Sequence, residues 1–245
     1  DAAVMALADL KPAKMGWAVG HAPNVAYVRR YRMKDGSVAT NPGVGNPNIG
    51  HALGEPNETV KLIKLVREDA DDIFIVNFGT HPDSVGGEYI SADYIGYVCS
   101  ILENAVPGTK CIFLQGAQGD VNHVNVNAKD GDFNDTFHDF DDVDRGYGHA
   151  RHMGNVVAGA VMQVYDKVNY VDVDKLHSRV QTVTVPANKG NPEDLPLAHK
   201  YNDLHKAGKD SEIPYTGMQL TTVLAQSARI VRLENGPDSF KMDIS

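Results

Sequence analysis

Apolar residues along the chain recur in two rhythms, one of period two and one near 3.6, and the changes between them mark the elements. Val60 to Val66 alternates in the strand manner, Asp69-Ala70-Asp71-Asp72 is a turn, and Ile73-Phe74-Ile75-Val76-Asn77-Phe78 is a short run rich in β-branched residues. The three together predict a hairpin whose second strand is buried. From Ala92 to Ala105 the spacing changes: Ile95, Val98, Ile101, Leu102 and Ala105 form a helical stripe, with Ser91 as N-cap and Pro107-Gly108 as the stop. Cys111-Ile112-Phe113-Leu114 predicts another buried strand. Arg145 to Val168 predicts a longer helix, with Met153, Val156, Val157, Ala160, Val161 and Val164 on its apolar side.

The flanks are less regular. Asp1 to Lys14 reads as a short helix or loop, and Trp17 to Arg32 as extended chain, most strand-like at Val25 to Val28. Lys34 to Pro56 holds Asp35-Gly36, Asn41-Pro42-Gly43 and Asn46-Pro47, all turn chemistry, and is too polar for a core. Leu176 to Val185 alternates and stops at Pro186; Pro192 to Ala207 and Gln219 to Val231 predict helices; Phe240 to Ile244 predicts a strand. Strands and helices interleave, so the expected class is α/β, with α+β as the variant: a mixed β-sheet core with flanking helices. No linker divides the chain, so residues 1–245 are expected to form one domain, with about 186–235 as a helical excursion. The strand-like end at Ile244-Ser245 and the start at Asp1, without an initiator Met or a signal peptide, are expected to be internal boundaries of a longer protein.

Composition changes this picture little. Hydrophobic residues make up 42% and charged residues 22% of 245, the balance of an ordinary globular domain. The net charge of −9 excludes a phosphate-backbone partner, which needs a basic footprint. No apolar run approaches the ~20 residues of a membrane span. The two cysteines, Cys99 and Cys111, fall in a predicted helix and the strand after it, and are expected to be free thiols rather than a disulfide.

Chemistry is concentrated where predicted strands end. The first strand ends in Gly79-Thr80-His81-Pro82, which puts His81 at a C-terminal strand edge, the place where α/β enzymes build sites. A neutral imidazole there is either a zinc ligand or simply packed in its loop. The next strand ends in Gln115-Gly116-Ala117-Gln118-Gly119-Asp120-Val121-Asn122-His123. Gly116 and Gly119 permit close backbone approach, and Asp120, Asn122 and His123 are able to position water, substrate or metal; a tight capped turn is the plainer alternative. Arg29-Arg30-Tyr31-Arg32 offers guanidinium groups to an anion or carbonyl, or is a solvated strand end. The acidic stretch from Asp130 to Asp142 lacks the glycine and final glutamate of an EF-hand and reads as a solvated loop. A two-metal phosphoesterase needs more Asp, His and Asn ligands than can be placed here.

Taken in order, Arg29 to Gly36 with Thr40-Asn41-Pro42-Gly43, Asn77 to Pro82, Ile90 to Tyr94, and Phe113 to Asn122 resemble the neutral/alkaline non-lysosomal ceramidase family, in its bacterial branch. Coverage is good from Trp17 to Val164. The resemblance implies an internal piece of a catalytic domain that cleaves an N-acyl amide of ceramide or a related lipid with zinc-activated water. It implies that His81 is one zinc ligand, that Arg29 polarises the substrate (Arg30 if the register slips by one), and that Asp120 and Asn122 stand at catalytic positions. Arg30, Gln118, Gly119 and His123 would line the substrate side. Where the family has a serine followed by proline, this chain has Asn122 and His123, and Asn122 cannot act as a serine-type nucleophile. The family's His-x-His and its glutamate and tyrosine ligands do not occur here, so the chain alone would bind zinc weakly and be inactive. A non-catalytic lipid- or glycan-binding descendant is the alternative. The resemblance also implies a secreted or cell-envelope protein with peripheral membrane contact.

Overall fold

In the computed structural model, which describes residues 1–127, 146–175 and 177–244, the chain runs through helix α1 (Ala2–Ala8) and strands β1 (Ala13–His21), β2 (Tyr27–Val28), β3 (Arg30–Met33), β4 (Val38–Thr40), β5 (Ile49–Ala52), β6 (Thr59–Arg67) and β7 (Asp72–Phe78). Helix α2 (Asp93–Ala105), strands β8 (Thr109–Gln115) and β9 (Val121–Asn122), helix α3 (Tyr147–Met162) and strand β10 (Asn169–Val171) follow. The remainder is β11 (Gln181–Pro186), α4 (Leu195–Lys206), α5 (Gly217–Glu234) and β12 (Ser239–Ile244). The acidic stretch Asp130–Asp142 lies outside the described residues. Where one unit was expected over 1–245, the residues group into two compact units, Asp1–Asp174 and Lys175–Ser245.

The first unit is built on a five-stranded sheet in the order β10-β1-β6-β7-β8. All of its neighbours pair antiparallel except β7 and β8, which run parallel because α2 carries the chain back between them. This is the expected mixed sheet with flanking helices. The predicted hairpin forms, with Lys61 opposite Asn77 and Leu65 opposite Ile73. Val60, Leu62, Phe74, Val76 and Phe78 point to one face, where Tyr94, Val98 and Leu102 of α2 and Met153, Val157 and Val161 of α3 cover them. The alternation of period two meets the helical period of about 3.6, and the meeting is the core.

Several expected boundaries move. Strand β1 begins at Ala13, earlier than Trp17, because nine consecutive residues pair with β6 despite a segment poor in β-branched residues. Long-range pairing outweighs local propensity there. Ala22 to Ala26, expected to be extended, is a non-strand link between β1 and β2 that buries Ala22, Val25 and Ala26 and exposes Pro23 and Asn24. The turn-rich Lys34–Pro56 region contributes β4 and β5, which flank β3 in a small three-stranded sheet. Helix α2 starts at Asp93, and Ser91 accepts the Asp93 N–H at 3.1 Å from just outside the helix. Helix α3 stops at Met162, short of Val168. Strand β8 is an edge strand, with Ile112 and Leu114 about half exposed (49% and 53%). Cys99 and Cys111 are half-buried free thiols on α2 and β8. The second unit, taken by itself, pairs β11 with β12 and packs α4 on α5, with Tyr201 edge-on to Tyr215 at 6.2 Å.

Small residues let α3 approach its neighbours. A Cβ on Gly154 would lie 2.4 Å from Tyr97 Cβ and 3.2 Å from the Tyr94 carbonyl. A Cβ on Gly159, five residues on, would meet nothing within 4 Å. The two glycines should therefore respond in opposite directions to alanine. Gly159→Ala should stabilise by up to ~1 kcal/mol through helix propensity. In Gly154→Ala that gain is outweighed by overpacking of about 1–3 kcal/mol against an atom that cannot rotate away. Urea denaturation midpoints of the two variants check the contrast.

Candidate functional site

The site forms where β7 and β8 end side by side, Phe78 opposite Gln115. Each strand passes into a glycine, and the two turns pack directly together. The Gly116 N–H donates to the Phe78 carbonyl at 2.8 Å. A Cβ on Gly79 would stand 2.4 Å from the Ala117 carbonyl oxygen, and one on Gly116 would stand 3.0 Å from Gly79 Cα. Both positions require glycine for close approach. Behind them Gln115 Nε2 and the Tyr94 hydroxyl donate to the Thr80 carbonyl at 2.7 and 3.1 Å. Burial pushes the Tyr94 phenol up, so it stays protonated as a donor.

His81 is half-buried and hangs from the second turn by two bonds to one oxygen. Its backbone N–H reaches the Val121 carbonyl at 3.1 Å, and its Nδ1 reaches the same carbonyl at 2.8 Å. A carbonyl only accepts, so Nδ1 carries a proton, and in the neutral ring this tautomer leaves the lone pair on Nε2. Nε2 makes no hydrogen bond among the described residues. A histidine that donates one ring N–H to a backbone carbonyl while presenting the other nitrogen is oriented as metal-bound histidines are.

The arginine segment joins the same turn. The Arg29 N–H donates to the Asp120 carbonyl at 2.8 Å, and its Nη2 donates to the Gly119 carbonyl at 2.9 Å. Arg30 is exposed on β3 opposite Thr40, so only the first of the pair is bound to the turn. Strands β2 and β9 pair here, Tyr27 with Asn122 and Val28 with Val121. Asn122 is buried; its Nδ2 donates to Asn41 Oδ1 at 3.0 Å and its Oδ1 accepts the Val124 N–H at 3.1 Å. Gly119 and Asp120 are exposed, and Gln118 keeps a buried Oε1 with no partner among the described residues.

His123 is fully buried, and its Nδ1 meets Asp83 Oδ1 at 3.1 Å. Its ring lies 4.9 Å from that of His149 on α3, which lies 6.5 Å from that of His152. Burial, and then the neighbouring His123 and His152, push His149 down to about 3; burial also lowers His152. His149 and His152 escaped the sequence reading. The available signal was that His149 falls four residues before Met153, inside the buried stripe of α3.

Thus Arg29, His81, Gln118, Gly119, Asp120, Asn122 and His123 are linked around a single turn, while Arg30 is not. Among the described residues no three His, Cys, Asp or Glu side chains converge on a point that could hold a metal ion. A catalytic zinc takes about three protein ligands; His81 is fit to supply one, and the described residues do not complete the set.

The first unit is a mixed α/β layer with a polar turn pair at the ends of its parallel strands, the place where α/β folds carry sites. No family model and no curated protein matches the chain. Among solved structures it is similar to a neutral ceramidase from Pseudomonas aeruginosa, with a TM-score of 0.48 and 17% identity over 77% of this chain and 27% of that one. It is also similar to a ceramidase complexed with C2, with a TM-score of 0.47 and 18% identity over 76% of this chain and 26% of the other. The chain thus spans about a quarter of the length of either.

His149 gives the protein an acid sensitivity with a definite sign. Its folded-state pKa (about 3) lies below the ordinary value of 6.5, so the folded protein binds fewer protons than the unfolded chain between the two. Stability is full above pH 6.5 and falls as pH drops toward 3, by a few kcal/mol at most. Urea midpoints measured from pH 7.5 to pH 4 should decline, and His149→Gln, neutral throughout, should decline less steeply over the same range.

Proposed function

We propose that the protein is an amide hydrolase that cleaves the N-acyl bond of ceramide or a related N-acyl lipid, and that this chain supplies its His81–Arg29 substrate turn. The observation that carries the reading is that motifs separated by about 40 and 90 residues, His81, Gly119-Asp120-Val121 and Arg29, are joined by hydrogen bonds at the ends of two parallel strands. Zinc, with His81 as one ligand and further ligands from outside this chain, would supply activated water. The chain's own residues do three things. The Val121 carbonyl accepts the Nδ1–H of His81 and leaves Nε2 presented. Arg29, permanently charged, is fixed beside the turn where its remaining N–H groups can bind a substrate carbonyl. The Gly79 and Gly116 turns keep the backbone low enough for an acyl group to approach. A secreted or envelope protein working at a lipid surface fits such a substrate.

The engagement of both ends of the Asn122 amide, with Asn41 and the Val124 N–H, favours one further reading, a lipid-binding descendant that no longer turns over. Both are tested by incubating the zinc-loaded protein, with the ligands from outside this chain present, with an N-acylated long-chain amino alcohol and measuring fatty-acid release by mass spectrometry. Release is expected; it should fall about 10²-fold or more in Arg29→Ala and vanish in His81→Ala, with zinc uptake reduced in the latter alone. Binding to vesicles containing that lipid without release would establish the second reading. Full activity in both variants would dismiss this site.

A further inference from the structure

The loop that carries His81 is tied to the second turn twice. The first tie is the pair of bonds from His81 to the Val121 carbonyl. The second lies two residues further along each segment, where His123 Nδ1 donates to Asp83 Oδ1 at 3.1 Å. A single tie would leave the loop free to pivot about that oxygen. Two ties on either side of Pro82, whose φ is fixed, remove the pivot. The second tie is itself anchored. His123 is fully buried against His149 of α3, and the next loop residue, Ser84, donates its hydroxyl to Met153 Sδ of the same helix at 3.1 Å. The clamp therefore connects the His81 loop to the core, whereas Asp83 itself is 41% exposed and contributes little burial.

We infer that Asp83 and His123 are positioning residues that lock His81 in its Nδ1–H tautomer, so that Nε2 is the nitrogen offered to a ligand. The pair acts through His81 and need not touch substrate. Its importance for catalysis rests on the amide-hydrolase reading, but the locked tautomer is a property of the folded chain and is measurable without turnover. It also gives His123, which stands where the resembling family has proline, a task compatible with complete burial.

The test is long-range ¹H–¹⁵N correlation spectroscopy of the whole chain labelled at histidine nitrogens, at pH 7.5. In the unaltered protein His81 should show a protonated Nδ1 and a bare Nε2. Asp83→Ala and His123→Leu should each reduce the Nδ1–H population from nearly all to half or less, with the remaining amide spectrum preserved. His123→Asn, whose side-chain N–H can occupy the place of Nδ1–H, should restore it. Retention of the Nδ1–H form in Asp83→Ala with an otherwise native spectrum would overturn the inference, and because that side chain is partly exposed this variant decides the matter even where His123→Leu fails to fold. Absence of lipid hydrolysis by the unaltered protein, with the Nδ1–H form of His81 in place, would count against the hydrolase reading and leave the clamp standing.

Discussion

Two glycine turns meet at the ends of β7 and β8, and the Val121 carbonyl at that meeting accepts both N–H groups of His81. Everything proposed for the molecule passes through this contact. The parallel pairing sets it up: only parallel neighbours end at the same edge, and only a crossover such as α2 can make them parallel. Glycine makes it close, since a side chain at Gly79 would run into the Ala117 carbonyl. Once the turns are in contact, sequence-distant groups become neighbours at little further cost in chain entropy, because the strands have already met it. Arg29 arrives through the short β2–β9 ladder, and His123 points back into the core beneath.

Much of this was readable from the chain. The β6–β7 hairpin was legible because alternation, a polar turn and a β-branched run agree locally. The site's location was legible because both apolar runs end in glycine followed by polar side chains, at Gly79 and at Gly116. The start of β1 was not, because Ala13 to Gly16 has no strand propensity of its own and is recruited by β6. Arg29 could not be told from Arg30 by residue type; the backbone bond from Arg29 to Asp120 separates them.

The histidines of α3 show a different limit. Counting apolar residues on a helix finds its buried face but passes over a polar residue lying on that face, and His149 is such a residue. Burial leaves it neutral and couples it to His123 through ring contact. A buried imidazole is costly unless it is useful or well partnered, and its place beneath the His81 loop gives it a supporting use. Asn122 illustrates the converse. The residue type suggested chemistry, while its amide is occupied in binding Asn41 and the Val124 backbone.

In the folded chain the His81 loop and the 116–123 turn are hydrogen-bonded to one another. Amide hydrogen exchange of His81, read residue by residue, tests this most directly. Protection comparable to that of the β7 core amides is expected, because the His81 N–H is bonded to the Val121 carbonyl. Exchange at the rate of an open loop, with β7 and β8 still protected, would contradict it.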